Sequence, residues 1–131
     1  MALDPAHLDT DVLAFLRDYH LATLTTLRPD GSPHVVAVGF SYDAEDRIAR
    51  IITFPASVKA RNVAASPGAR AALCQVDGGR YLTLEGPAHL TADPARVAAG
   101  VAGYAARYRP PKERPDRVVI EIAVDRILGR A

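Results

Sequence analysis

Apolar and polar residues alternate along much of this chain, and the two-residue period of strands dominates over the longer period of helices. LATLTTL (21–27) is apolar and β-branched and ends at RPDGSP, where Asp30-Gly31 is a tight-turn signal. HVVAVGFSYD (34–43) is the returning strand, DAED turns the chain, and RIARIITF (47–54) follows, so three consecutive strands are expected as an antiparallel meander. ARAALCQV (69–76) and GRYLTLEGPAHL (79–90) flank DGG as a further hairpin. In its second strand Leu82 and Leu84 alternate with Tyr81, Thr83 and Glu85, and Gly86-Pro87 predicts a bend where one long strand turns a barrel corner. RVVIEIAVDRILG (117–129) closes the chain as a sixth strand, with Val118, Ile120, Ile122 and Val124 on one face and Glu121 and Asp125 on the other.

Three segments carry the helical period instead. LDTDVLAFLRDYH (8–20) has Asp9 or Thr10 as its cap and Leu8, Val12, Leu13, Leu16 and Tyr19 as its stripe. SVKARNVAASPG (57–68) begins at Ser57 and stops at Pro67-Gly68. DPARVAAGVAGYAARYR (93–109) opens with Asp93 followed by Pro94 at the first helical position, and Val97, Val101, Tyr104 and Tyr108 recur on one face. RPPKERPD is a proline-rich charged connector. The class is mainly β: six antiparallel strands with a few short peripheral helices, which suits a small closed or nearly closed barrel because closure removes exposed edges.

Composition narrows the function. The 131 residues suffice for one domain, taken as residues 1–131, and the formal charge of +1 gives no basic excess for a nucleic-acid partner. No apolar run reaches membrane-spanning length, and the acidic N-terminus lacks the layout of a secretory signal. Cys74 is the single cysteine and has no histidine close in sequence to activate it. These features predict a cytoplasmic chain that partners neither nucleic acid nor membrane. There is no Gly-x-Ser-x-Gly, no metal-ligand spacing and no phosphate-binding glycine loop, so no catalytic side chain is assigned. Any enzymatic chemistry belongs to a bound cofactor.

The conspicuous stretch is FPASVKARN (54–62), which holds Lys59, one of only two lysines. Ser57 at a helix start leaves backbone N–H groups pointing outward, and Lys59 adds a full charge, which together make a seat for phosphate. The alternative is an ordinary cap with solvated cations. Arg61 lies about 200° around a regular helix from Lys59, whereas Asn62 shares a face with it more easily. On 34–43 two sets alternate: His34, Val36, Val38 and Phe40 against Val35, Ala37, Gly39 and Ser41. The small set would let a flat ring lie on the backbone, or it is plain barrel packing; His34 is either a half-exposed surface residue or a direct contact. Arg107, Arg109, Lys112, Arg114 and Arg117 gather in RYRPPKERPDR, either as a seat for a carboxylate-rich ligand or as a solvated connector.

From about residue 10 to the end, LATLTTLRPDGSPHVVAVGFSYD, RIARIITF and SVKARNVAASPGARAALCQVDGGRYLTLEGPAHL together resemble the pyridoxamine 5'-phosphate oxidase-like split β-barrel superfamily. SPHVVAVGF, CQVDGGRYLTLEG and RVVIEI are similar to its actinobacterial branch that uses the deazaflavin coenzyme F420, and in particular to the biliverdin-reducing members. The resemblance implies a six-stranded split barrel and a homodimer with each cofactor in a groove between two barrels. It also implies a phosphate seat at Ser57 and Lys59, supported by Arg61 and Asn62. The ring is expected along Val36, Val38, Ile52 and Thr53, with His34 a further cofactor contact. Reduced F420 would pass a hydride to a conjugated small-molecule acceptor, biliverdin becoming bilirubin, whose propionates would meet Arg80 or an arginine of the connector such as Arg109. FMN would use the same phosphate seat. An FMN-dependent oxidase, or a non-catalytic flavin- or tetrapyrrole-binding protein, are therefore the alternatives.

Overall fold

A computed structural model describes residues 2–131. The elements run β1 (Ala2–Leu3), α1 (Thr10–Arg17), β2 (Ala22–Leu27), β3 (Pro33–Val38), β4 (Ser41–Asp43), β5 (Ile48–Thr53), α2 (Val58–Ala65), β6 (Arg70–Asp77), β7 (Arg80–Thr91), α3 (Pro94–Arg107), β8 (Val118–Ala123) and β9 (Arg126–Arg130). All strand pairs are antiparallel, in the order β3-β2-β6-β7-β8-β5-β4, with β9 on β7 and β1 on β9. The mainly-β class and the split-barrel form hold. The strand count does not, since nine described strands replace six and the barrel stays open at β3 and β4.

The count differs because two expected strands break. Residues 34–43 divide at Gly39-Phe40: β3 pairs with β2, whereas β4 pairs with β5, and β5 pairs onward with β8. The expected meander is thus two hairpins in different halves of the barrel. The final strand likewise divides at Val124-Asp125 into β8 and β9. Both halves lie along β7, β9 against residues 81–85 and β8 against residues 88–91. The predicted corner at Gly86-Pro87 is where β7 passes from one half to the other. A Cβ on Gly86 would drive into the backbone carbonyl of Ala123, so only glycine allows this approach.

The caps fall where the sequence places them. Asp9 accepts from the Val12 N–H at 2.9 Å, Ser57 from Ala60 at 3.2 Å and Asp93 from Arg96 at 3.1 Å. Tyr19 leaves the expected stripe of the first helix, because α1 ends before it. The core draws on α1 (Val12, Phe15, Leu16) and on the inward residues of every long strand, among them Leu24, Ile51, Leu73, Leu84, Ile120, Ile122 and Ile127.

One buried cation binds the halves together. Arg107, at the end of α3, donates to the carbonyls of Asp18 (2.9 Å), Phe40 (2.9 Å) and Phe15 (3.4 Å) and to the Gln75 amide oxygen (2.9 Å). Gln75 in turn donates to the Phe15 carbonyl at 2.9 Å. The Tyr108 hydroxyl accepts from the Phe40 N–H at 3.1 Å and donates to the His20 carbonyl at 2.7 Å. These bonds satisfy the backbone at the residue where the chain leaves one sheet half for the other. Arg107→Lys keeps the charge but replaces a planar fork with one point donor. It is expected to cost about 2 kcal/mol, read as a lower urea midpoint at unchanged slope.

Candidate functional site

An open cavity of about 300 Å3 lies where β3, β5, α3 and the start of α2 meet, with the connector before β8 at its mouth. Ala37, Val38, Gly39, Ile51, Ile52 and Thr53 make its floor, Phe54 and Tyr104 its aromatic sides, and Lys59, Arg114 and Arg117 its charges. No carboxylate is among the lining residues. Close packing of α3 explains the shape. A Cβ on Gly100 would stand 2.9 Å from the Ile52 Cγ2, and one on Gly39 would stand 2.9 Å from the Tyr104 ring. Helix and strand therefore approach until Tyr104 borders the floor.

The cationic end is built by α2. The Ser57 hydroxyl accepts from the Ala60 N–H and, at 2.8 Å, from the Thr53 hydroxyl, which ties the helix start to the end of β5. The first turn holds no acidic residue, so the positive end of the helix dipole is uncompensated; α1, by contrast, carries Asp11 there. Lys59 is half-buried and has no ion pair or hydrogen bond among the described residues. Burial pulls its pKa below the ordinary lysine value. A cation held partly out of water without a counter-ion is a cost that a bound anion would remove.

Of the residues expected here, Lys59, Ile52, Thr53 and Val38 line the cavity. Ser57 stands behind them as cap and acceptor. Arg61 is exposed outside the lining, on the far side of α2 from Lys59. Asn62 points the other way, its amide donating to the Thr26 hydroxyl at 3.1 Å inside the barrel. Val36 and Val38 turn their side chains to the core, so the groove face of β3 belongs to the other parity, Ala37 and Gly39. His34 lies outside the cavity, with Nδ1 buried and unpartnered. Arg80 caps the β6–β7 turn, paired with Asp77 at 2.6 Å and resting 4.4 Å from the Phe15 ring centroid. Arg109 is exposed and outside the lining, while Arg114 and Arg117 of the same connector face the cavity. Phe54 and Tyr104 carried no signal beyond being aromatic residues next to motif positions.

The fold is an antiparallel split barrel, and its cavity joins a largely apolar floor to a cationic end without a carboxylate. The chain belongs to the pyridoxamine 5'-phosphate oxidase family, whose model matches residues 8–131. It is 52% identical to a Mycobacterium tuberculosis protein named as a biliverdin reductase dependent on reduced F420, over 95% of this chain and 89% of that one. It is also similar to a solved F420 reductase, at 28% identity, a TM-score of 0.68 and coverage of 88% and 94% of the two chains. A conserved hypothetical protein of Mycobacterium tuberculosis shares the fold at a TM-score of 0.78 and 23% identity, over 95% of this chain and 84% of that chain.

The pKa of Lys59 sets a testable sign. Because its folded value is depressed, the burial penalty is fully present below that value and is relieved as pH rises from it toward the unfolded value. An anion reverses this by favouring the charged form, so inorganic phosphate is expected to bind with proton uptake and to weaken as pH climbs through the Lys59 pKa. Lys59→Met is expected to abolish the rise in melting temperature produced by phosphate while leaving the phosphate-free protein at least as stable. Thermal melts with and without phosphate across alkaline pH check both.

Proposed function

We propose that this protein is an F420-dependent oxidoreductase that reduces a conjugated small-molecule acceptor, with biliverdin as the leading substrate and bilirubin as product. The observation that carries the reading is the half-buried, unpaired Lys59 beside an acid-free helix start, at one end of a floor narrowed to Ala37 and Gly39. The two F420-linked relatives favour F420 over FMN as the group held there.

The residues present fit such a coenzyme. Lys59 and the free amides at the start of α2, which Ser57 caps, bind its phosphate. Ala37, Gly39, Ile52 and Thr53 offer a flat wall for its ring, and Phe54 and Tyr104 flank it. When bound, reduced F420 would supply a hydride from a ring carbon to the central methine bridge of biliverdin, and a proton taken up at a pyrrolic nitrogen would complete bilirubin. The protein's contribution is to hold the two carbons in contact, at about 3–3.5 Å, and to keep water away.

The same reading includes a homodimer and one cofactor-binding domain over the whole chain, in the cytoplasm. The register sets Ala37, Thr23, Cys74, Thr83 and Leu128 side by side across five strands, a row without charge on the face that no helix covers. Val35, Leu27 and Val76 stand exposed on the same face, Val35 at 58%. Ala37 belongs both to this face and to the cavity, so a second copy seated here would wall the groove.

Purified protein mixed with reduced F420 and biliverdin is expected to consume both in equal amounts, followed by their absorbance; F420 binding without any change in biliverdin would remove the substrate, and no F420 binding would overturn the reading. Lys59→Ala should weaken F420 binding by roughly 1.5–3 kcal/mol with the barrel intact, measured by titration. Light scattering is expected to give twice the 14.0 kDa chain mass, and Val35→Glu to give monomers with weakened F420 binding.

A further inference from the structure

We propose that Arg114 and Arg117 form a second anion subsite at the cavity mouth, selective for carboxylate and separate from the phosphate seat of α2. The proposal rests on the reading of the cavity as the coenzyme and acceptor site. In this antiparallel pair Thr53 lies opposite Val118, so Phe54 and Arg117 emerge at the same end of β5 and β8. The Arg117 N–H donates to the Arg114 carbonyl at 3.2 Å, a turn that brings both side chains to the cavity. Pro110, Pro111 and Pro115 stiffen the connector, so little freedom is lost when a ligand is gripped.

Arg117 is the stronger half. Among the described arginines that are at least partly buried, only Arg107, Arg117 and no other lack a carboxylate partner, and Arg107 is saturated by four acceptors. Arg117 makes one bond, from Nη2 to the Lys112 carbonyl at 2.7 Å, which orients the guanidinium and leaves its remaining donors free. Arg114 is stacked 3.9 Å from the Phe54 ring centroid and spends Nε on Asp116 at 2.6 Å and Nη2 on its other oxygen at 3.5 Å, keeping Nη1 free. Its charge is therefore partly neutralised by Asp116, and it guides more than it binds. A planar fork with an open edge suits a planar carboxylate, whereas Lys59 is a point charge suited to phosphate. Two sources carry that group into this cavity: the glutamate tail of F420 and the propionates of the acceptor.

The test measures binding to Arg117→Gln and Arg117→Lys by equilibrium titration with four ligands: F420, FMN, biliverdin and biliverdin dimethyl ester. Circular dichroism melts show first that both variants fold. About a tenfold loss with Arg117→Gln for F420 but not FMN assigns the subsite to the coenzyme tail. A similar loss for biliverdin but not its ester assigns it to the acceptor. Arg117→Lys is expected to recover only part of either loss. Equal effects on both members of each pair, or no effect on any, overturn the subsite. If the wild-type protein binds neither F420 nor FMN, the proposed function falls, and the biliverdin pair alone still decides the subsite. If it binds none of the four, both fall.

Discussion

The structure depends on satisfying the backbone at Phe40. At that residue the chain steps from one half of the barrel to the other, and its N–H and carbonyl have no neighbouring strand to pair with. The Tyr108 hydroxyl and the Arg107 guanidinium fill those places from the end of α3. Burial disfavours the arginine's charge and lowers its pKa, and four oxygen acceptors from three other segments offset that cost. Because the bonds reach α1, the β3–β4 break and β6 at once, α3 is held in a single place.

Fixing α3 also shapes the cavity. Gly100 and Gly103 let the helix settle against β5, β8 and β4, and Tyr104 then closes the floor beside Gly39. A charged ladder on the same sheet half secures the other end of the helix: Arg96 and Arg50 both pair with Glu121, at 2.5 and 2.9 Å. Glu121 and Arg50 are largely shielded from water, so this pair orders the strands more than an exposed one would. The site is therefore a by-product of docking one helix across a split sheet, with its cations supplied by the two chain segments that enter and leave that sheet.

Among the arginines, chemistry alone did not separate the roles. Arg107, Arg109, Arg114 and Arg117 lie within one basic segment, yet the first is a buried strut, the second is exposed outside the cavity and the last two face it. Helix α3 ends between the first and the second, and the turn between residues 114 and 117 sets the others, which is a matter of backbone path. Asn62 shows the same limit. Its spacing from Lys59 allows a shared face, but Thr26 offered its amide a partner inside the barrel.

The order of elements, the caps at Asp9, Ser57 and Asp93, the corner at Gly86 and the cationic start of α2 were legible in the sequence. Each rests on local chemistry: a side-chain oxygen next to free amides, a missing Cβ, an apolar period. The break at Gly39-Phe40, the division at Val124-Asp125 and the groove face of β3 were decided only in three dimensions. From Val35 to Gly39 both parities are apolar or small, so hydrophobicity could not tell the inward set from the outward one. Only pairing with β2 and the packing of α3 made Val36 and Val38 core and left Ala37 and Gly39 to the cavity.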